Sequence, residues 1–167
     1  MPTHTLIIGY GSPIRGDDAI GLIAVERLVE RGLAADVTAL ARHVLTAELV
    51  TELECCQRVI FLDAAAIGEP GAIAVRRIAP DVTAHSTLAH VLDPAELLAW
   101  CQRLFGHAPE AYLITVTGAC FDYAHCQLSP IATAALEHLI AQVGNWLLSE
   151  SASILANSDS TDCGDNQ

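Results

Sequence analysis

Residues 6–21, Leu-Ile-Ile-Gly-Tyr-Gly-Ser-Pro-Ile-Arg-Gly-Asp-Asp-Ala-Ile-Gly, decide the fold of this chain. Their apolar start predicts a buried strand, the Gly9-x-Gly11 pair predicts a tight turn, and the residues from Asp17 onward predict a helix. A strand, a glycine turn and a helix in this order are typical of nucleotide-binding α/β proteins. The dinucleotide-binding motif, however, has a third glycine at the position where this chain has Ile14.

Two adjacent carboxylates, Asp17 and Asp18, lie where this predicted helix begins. A phosphate is attracted to the positive end of a helix dipole, but these two side chains place negative charge there. One carboxylate is enough to cap a helix, so we interpret at least one of the pair as functional. The sequence therefore predicts that this turn binds a cation and not a phosphate.

Length and composition limit the classes of protein that the chain can represent. Its 167 residues, 52% of them hydrophobic, predict one domain over residues 1–148 and a disordered polar tail over residues 149–167. The net charge of −12 argues against a nucleic-acid partner and against an anionic membrane surface. No apolar run reaches the roughly 18 residues that span a bilayer, and no secretory signal pattern is present, so we expect a cytoplasmic protein.

The chain has eight basic residues, and all of them are arginine. The absence of lysine excludes a P-loop and excludes Schiff-base chemistry. The six cysteines contain no Cys-x-x-Cys pair, and we assign no chemistry to them.

The pattern of the remaining segments predicts the element order β-α-β-α-β-β-α-β-α. This order predicts an α/β three-layer sandwich, with a mostly parallel five-stranded sheet and helices on both faces. The clearest strand covers residues 58–63 and ends at Asp63, residues 72–78 predict an edge strand, and Asp93-Pro94 predicts the start of a helix that stops at Gly106. We expect the last helix to run from Pro130 to about residue 148.

Three side chains converge at one edge of such a sheet, because sites in parallel sheets lie outside the carboxyl ends of the strands. Asp18 follows the first strand, Asp63 ends the third, and His90 precedes a helix in the loop at residues 79–92. Two carboxylates and an imidazole suit a divalent transition-metal ion with open coordination positions. Taken alone, His90 is as consistent with a structural hydrogen bond as with a metal ligand. A buried charge at Asp63 is costly without a partner, which favours a functional role there.

An acidic pair followed by Asp63 is also the pattern of a phosphoacceptor receiver domain. That family requires a lysine after its last strand, and this chain has none. We therefore reject the receiver-domain interpretation.

Five segments of the chain resemble, in order and spacing, the hydrogenase maturation endopeptidases. The match extends over about residues 4–148 and is specific as an ordered set. Residues 9–21 resemble the family's opening motif, G-x-G-N-x-L-x-x-D-[DE]-x-[IV]-G, and residues 59–64 resemble its strand ending in Asp-Ala. Residues 90–98 resemble its third motif, a histidine followed by a helix start and a Leu-Leu pair. Residues 121–123 and 128–130 resemble its C-terminal segment.

This resemblance implies a protease that removes a C-terminal extension from the large subunit of a [NiFe]-hydrogenase after nickel insertion. It implies that Asp18, Asp63 and His90 bind the metal, and the spacing from histidine to the Leu-Leu pair selects His90 over His85. The nickel would arrive in the large-subunit precursor and would not be a permanent cofactor, and no nucleotide cofactor is expected.

For the reaction, we expect catalysis by the carboxylates Asp18, Asp63 and Asp17, with Asp18 or Asp17 as general base. The chain departs from the family at Ser12, where the family has asparagine, which puts substrate contacts near the turn in question. Two other functions remain open at this point. One is a nickel-loading sensor or chaperone that does not cleave, and the other is a nucleotide-binding enzyme on a related fold.

Overall fold

The computed structural model describes residues 4–83 and 92–158, with side chains described as far as residue 148. Within these ranges, strands alternate with helices along the chain, except that the fourth strand directly follows the third. The strands are β1 (Thr5–Tyr10), β2 (Val37–Arg42), β3 (Arg58–Ala65), β4 (Ile73–Ile78) and β5 (Glu110–Thr117). The helices are α1 (Ile20–Arg31), α2 (Val50–Glu54), α3 (Pro94–Phe105) and α4 (Pro130–Ser158), and short 3-10 turns precede α1 and α2.

The five strands form one sheet in the order β2-β1-β3-β5-β4. The pairs β1–β2, β1–β3 and β3–β5 are parallel, whereas β4 lies antiparallel to β5 at the edge. The mostly parallel α/β sheet predicted from the sequence is confirmed. Because the chain leaves β1 toward β2 on one side and returns to β3 on the other, the β1–β3 crevice is where such sheets bind ligands.

Side chains of the two central strands alternate between two cores, as the pleat of a strand requires. Ile7 and Ile60 pack with α1 and α4 on one face, whereas Ile8 and Phe61 pack with α2 and α3 on the other. All four side chains are fully buried. Near-continuous apolar strands between two layers of helices are typical of a parallel sheet that is covered on both faces.

Local signals correctly predicted both ends of α3. The Asp93 side chain caps the helix by accepting a hydrogen bond from the backbone N–H of Ala95 at 2.8 Å, and Pro94 occupies the first turn. The helix ends at Gly106, whose φ of 82° is a left-handed conformation that glycine adopts without strain.

Two element boundaries differ from the sequence-based prediction. Strand β3 continues past Asp63 to Ala65, because Ala64 and Ala65 pair with the end of β5. Helix α4 continues to Ser158, where the sequence predicted a disordered tail from residue 149. No glycine or proline lies between residues 149 and 158 to end the helix, and residues 159–167 lie outside the described residues.

None of the helices in the described part of the chain combines the length and the apolar character that a membrane crossing requires.

Candidate functional site

Close contact between α1 and the sheet places the Gly11–Asp18 turn over the carboxyl ends of β1 and β3. A Cβ atom at Gly21 would lie 2.3 Å from the carbonyl oxygen of Leu62, and one at Gly9 would lie 1.9 Å from the carbonyl oxygen of Gly21. Only glycine permits backbones to approach this closely. The two glycines therefore set the distance between the start of α1 and the strands beneath it.

Asp18 lies in the 3-10 turn Gly16–Ala19, two residues before α1 begins. Its Oδ2 accepts a hydrogen bond of 2.9 Å from the backbone N–H of Ser12. The side chain is half-buried, and among the described residues its Oδ1 accepts no hydrogen bond. One oxygen is thus fixed by the glycine turn, and no residue in the described ranges donates to the other.

Asp63 lies on β3 below this turn and is half-buried. Its Oδ1 accepts a hydrogen bond of 2.7 Å from the backbone N–H of Ala64, and the hydroxyl of Tyr10 also donates to its carboxylate. Burial raises the pKa of Asp63 to about 6, although both hydrogen bonds lower it. The negative charges of Asp18 and Asp93 raise this pKa further.

Tyr10, the last residue of β1, shares this environment. Burial raises the pKa of the Tyr10 hydroxyl well above its usual value, and the neighbouring charge of Asp63 raises it further. The hydroxyl therefore stays protonated and donates to Asp63. Sequence reasoning missed Tyr10, because it occupies the variable position between Gly9 and Gly11 and carries no signal of its own.

Asp17 has an entirely different environment from Asp18. Its side chain is 0% exposed and accepts four hydrogen bonds. The backbone N–H groups of Ala119 and Cys120 donate to Oδ2 at 2.7 and 3.0 Å, and Ser129 donates its N–H to Oδ1 at 2.6 Å and its hydroxyl to Oδ2 at 2.8 Å. Burial raises the pKa of Asp17, but these bonds outweigh it and hold the pKa below the usual value.

This arrangement argues against the catalytic role expected for Asp17. A carboxylate with a low pKa, no exposure and four donors on its oxygens cannot take a proton from a water molecule in the site. Nor does either acidic side chain cap α1, since neither makes a capping hydrogen bond there. Asp17 instead attaches the loop after β5 and the start of α4 to the glycine turn.

The third predicted metal ligand, His90, lies outside the described residues, as does His85. Within the part of the chain that the structure describes, no three His, Cys, Asp or Glu side chains form a group that could hold a metal ion. Of the three predicted ligands, the structure therefore brings together Asp18 and Asp63. They are close enough for the charge of Asp18 to raise the pKa of Asp63.

A separate apolar cavity of about 300 Å³ lies between the end of α1 and α4, with lining residues that include Leu28, Leu33, Val37 and Ile140. It is at the amino edge of the sheet, opposite the two carboxylates, and among the described residues Arg31 is the one charged side chain that lines it. This lining offers no group for acid–base chemistry or metal binding, so the candidate active site is the carboxyl edge.

Several solved structures are similar to this fold. The hydrogenase-maturating endopeptidase HybD of Escherichia coli is 25% identical, with a TM-score of 0.73 over 88% of this chain and 93% of that chain. Another endopeptidase of Escherichia coli, solved in solution, is 26% identical, with a TM-score of 0.70 over 89% of this chain and 93% of that one. The chain is therefore similar, in sequence and in fold, to the hydrogenase maturation endopeptidases.

A third structure, the [NiFe]-hydrogenase maturation protease HycI of Thermococcus kodakarensis KOD1, shares the fold. It is 23% identical, with a TM-score of 0.70 over 87% of this chain and 92% of that chain. No protein-family model matches the sequence, and no curated protein matches it either. The resemblance to the maturation endopeptidases and the α/β architecture were both correctly predicted from the sequence.

Proposed function

We propose that this protein is an endopeptidase that removes the C-terminal extension of a [NiFe]-hydrogenase large-subunit precursor after nickel insertion. The observation that carries this proposal is the pair Asp18 and Asp63. Asp18 lies in the turn between β1 and α1 and Asp63 lies on β3, and each has one carboxylate oxygen held by a backbone N–H. The likeness to HybD and to the other maturation proteases supports the same activity.

In this proposal the nickel ion is part of the substrate. Asp18 and Asp63 would contact the nickel of the precursor, with His90 as the third ligand. Two carboxylates and an imidazole suit a divalent transition-metal ion, and the ion would polarise the scissile carbonyl or activate a water molecule beside it. A precursor without nickel would lack this interaction, which would prevent premature cleavage.

The general base of this reaction would be Asp18. It is half-buried and keeps Oδ1 available, whereas Asp17 is enclosed by its four donors. Hydrogen bonds fix both carboxylates before substrate arrives, so little reorganisation is required when the precursor binds.

The test is an intact-mass assay of nickel-loaded and nickel-free precursor after incubation with this protein. We expect loss of a C-terminal peptide from the loaded precursor alone, and no loss with Asp63→Asn. Asp36→Asn is the matched control, because Asp36 lies just before β2 at the opposite edge of the sheet and should leave cleavage unchanged.

Two results would contradict the proposal. Normal cleavage by Asp63→Asn would remove Asp63 from the mechanism. Nickel-dependent binding without any loss of mass would instead identify a sensor of nickel loading.

A further inference from the structure

Arg15 lies in the same turn as Asp18, three residues before it. The backbone N–H of Arg15 donates to the carbonyl of Ser12 at 3.4 Å, and its carbonyl accepts from the N–H of Asp18 at 3.2 Å. Arg15 also forms a β-bridge with His125 in the loop after β5. Its backbone is therefore part of the scaffold that fixes the proposed catalytic carboxylate.

The guanidinium of Arg15 is held over this same loop. Its Nε donates to the carbonyl of Phe121 at 3.3 Å, and its central carbon lies 5.9 Å from the centroid of the Phe121 ring and 5.4 Å from that of Tyr123. Contacts with aromatic rings orient a planar guanidinium without consuming its remaining N–H donors. The terminal nitrogens are thus oriented before any ligand binds.

These terminal nitrogens have no acidic partner among the described residues. Other arginines do, since Arg31 pairs with Glu137, and Arg58 and Arg77 both pair with Glu110. The chain has a net charge of −12, yet none of its described carboxylates pairs with Arg15. Because aromatic rings already orient the guanidinium, Arg15 is arranged to bind a carboxylate of a partner.

The surface around Arg15 has the composition of a peptide-docking site. Tyr123 is 74% exposed and Ile14 is 53% exposed, and Pro13 beside it is exposed as well. Tyrosine and arginine are among the residues that contribute most to binding at protein interfaces, and apolar neighbours exclude water from such contacts.

We infer that Arg15 binds a carboxylate in the C-terminal segment of the precursor and so positions the scissile peptide beside Asp18. This inference rests on the proposed function. The carboxylate has two possible sources, an acidic side chain near the cleavage site or the terminal carboxylate of the extension. Arg15 is three residues from Asp18 in a tight turn. If the bound carboxylate belongs to a side chain, that side chain therefore lies within a few residues of the scissile peptide bond.

The experiment measures processing of nickel-loaded precursor, and separately its binding to immobilised enzyme, with three variants. We expect Arg15→Gln to raise KM and Kd about tenfold while leaving kcat nearly unchanged, as for loss of one charge-assisted hydrogen bond. Arg15→Lys should recover part of the loss, because it keeps the charge without the planar donors. Arg103→Gln is the control, since it removes an equal charge near the end of α3, at the opposite edge of the sheet.

The two sources of the carboxylate are distinguished on the precursor. In one arm each acidic side chain of its C-terminal segment is changed to the amide, and in the other the chain end is extended by neutral residues. The precursor change that removes the carboxylate bound by Arg15 should weaken binding of the precursor to the wild-type protein about tenfold. The same change should hardly weaken binding of the precursor to Arg15→Gln. If Arg15 acted only by holding its loop, Arg15→Gln would weaken binding of every precursor equally, and that result would overturn the inference.

Failure of the inference is separable from failure of the proposed function. Cleavage by wild type with no effect of Arg15→Gln would refute the role of Arg15 alone. Binding that depends on Arg15, but without cleavage, would support Arg15 and refute the endopeptidase. Absence of both binding and cleavage with wild type would refute both.

Discussion

Asp17 accepts two hydrogen bonds from Ser129, a residue 112 positions later in the chain. The N–H of Ser129 donates to Oδ1 at 2.6 Å, and its hydroxyl donates to Oδ2 at 2.8 Å. The Ser129 hydroxyl also accepts from the N–H of Ala132 at 3.2 Å in the first turn of α4. A single buried carboxylate thereby joins the start of α1 to the start of α4.

Replacement of this carboxylate should cost stability. In Asp17→Asn, an amide nitrogen must face at least one of the N–H donors that now bind oxygen, which leaves that donor buried and unpaired. We expect the free energy of unfolding to fall by about 1.5 to 3 kcal/mol, the range for hydrogen bonds to a charged group. Urea denaturation of the purified variant measures this change.

The adjacent carboxylate supplies the control. Asp18→Asn can still accept the Ser12 N–H bond through its amide oxygen, so it loses only the charge of a half-buried side chain, and its cost should stay below about 1 kcal/mol. Equal losses of stability in the two variants would contradict the distinct roles of the two aspartates.

The sequence predicted which edge of the sheet carries the site but not how the acidic pair divides its roles. Asp18 and Asp63 could be placed together because parallel strands end at one edge. The role of Asp17 depends on N–H groups of residues 119, 120 and 129, more than 100 positions away, and no local pattern encodes such contacts. The extension of β3 past Asp63 was missed for the same reason, because pairing with β5 determines it.

The spacing between α1 and the sheet gives a second prediction. In Gly21→Ala the new Cβ would lie 2.3 Å from the carbonyl oxygen of Leu62 and 2.6 Å from that of Tyr10. The helix must move away from β1 and β3, and Asp18 would move with it. We expect a loss of about 1 to 3 kcal/mol in the free energy of unfolding, together with a lower kcat for processing.

Gly144→Ala is the matched control for this change. It lies within α4, and a Cβ there would have no atom within 4 Å. Alanine in an open helical position should raise the free energy of unfolding by roughly 0.5 to 1 kcal/mol. A stable, fully active Gly21→Ala enzyme would disprove the requirement for close contact.

A third prediction concerns Glu110 at the amino edge of the sheet. A hydrogen bond from Arg58 is the main cause that lowers the pKa of Glu110, and a bond from Tyr112 adds to it. Since the folded pKa lies below the unfolded one, the charged form stabilises the fold above the unfolded pKa. This stabilisation is lost as the pH falls through the folded pKa.

The comparison of Glu110→Gln with wild type checks this dependence. Wild type should be more stable by about 1 kcal/mol at pH 7, and the difference should disappear as the solution is acidified below the folded pKa. Glu137→Gln is the control, because its pair with Arg31 is more than half exposed on both side chains and should contribute less than about 0.5 kcal/mol. A difference that persists at low pH would show that the effect of Glu110 is not electrostatic.

The last prediction concerns Ser12, at the position where the hydrogenase maturation endopeptidases that the chain resembles have asparagine. The contact between Ser12 and Asp18 is made by the backbone N–H, and the Ser12 hydroxyl makes no hydrogen bond within the described parts of the chain. Ser12→Ala keeps that N–H, so we expect the orientation of Asp18 and the rate of precursor processing to stay unchanged. Steady-state processing by Ser12→Ala, with Asp18→Asn as the inactive reference, measures this. Loss of activity in Ser12→Ala would instead assign the hydroxyl a direct contact with the precursor.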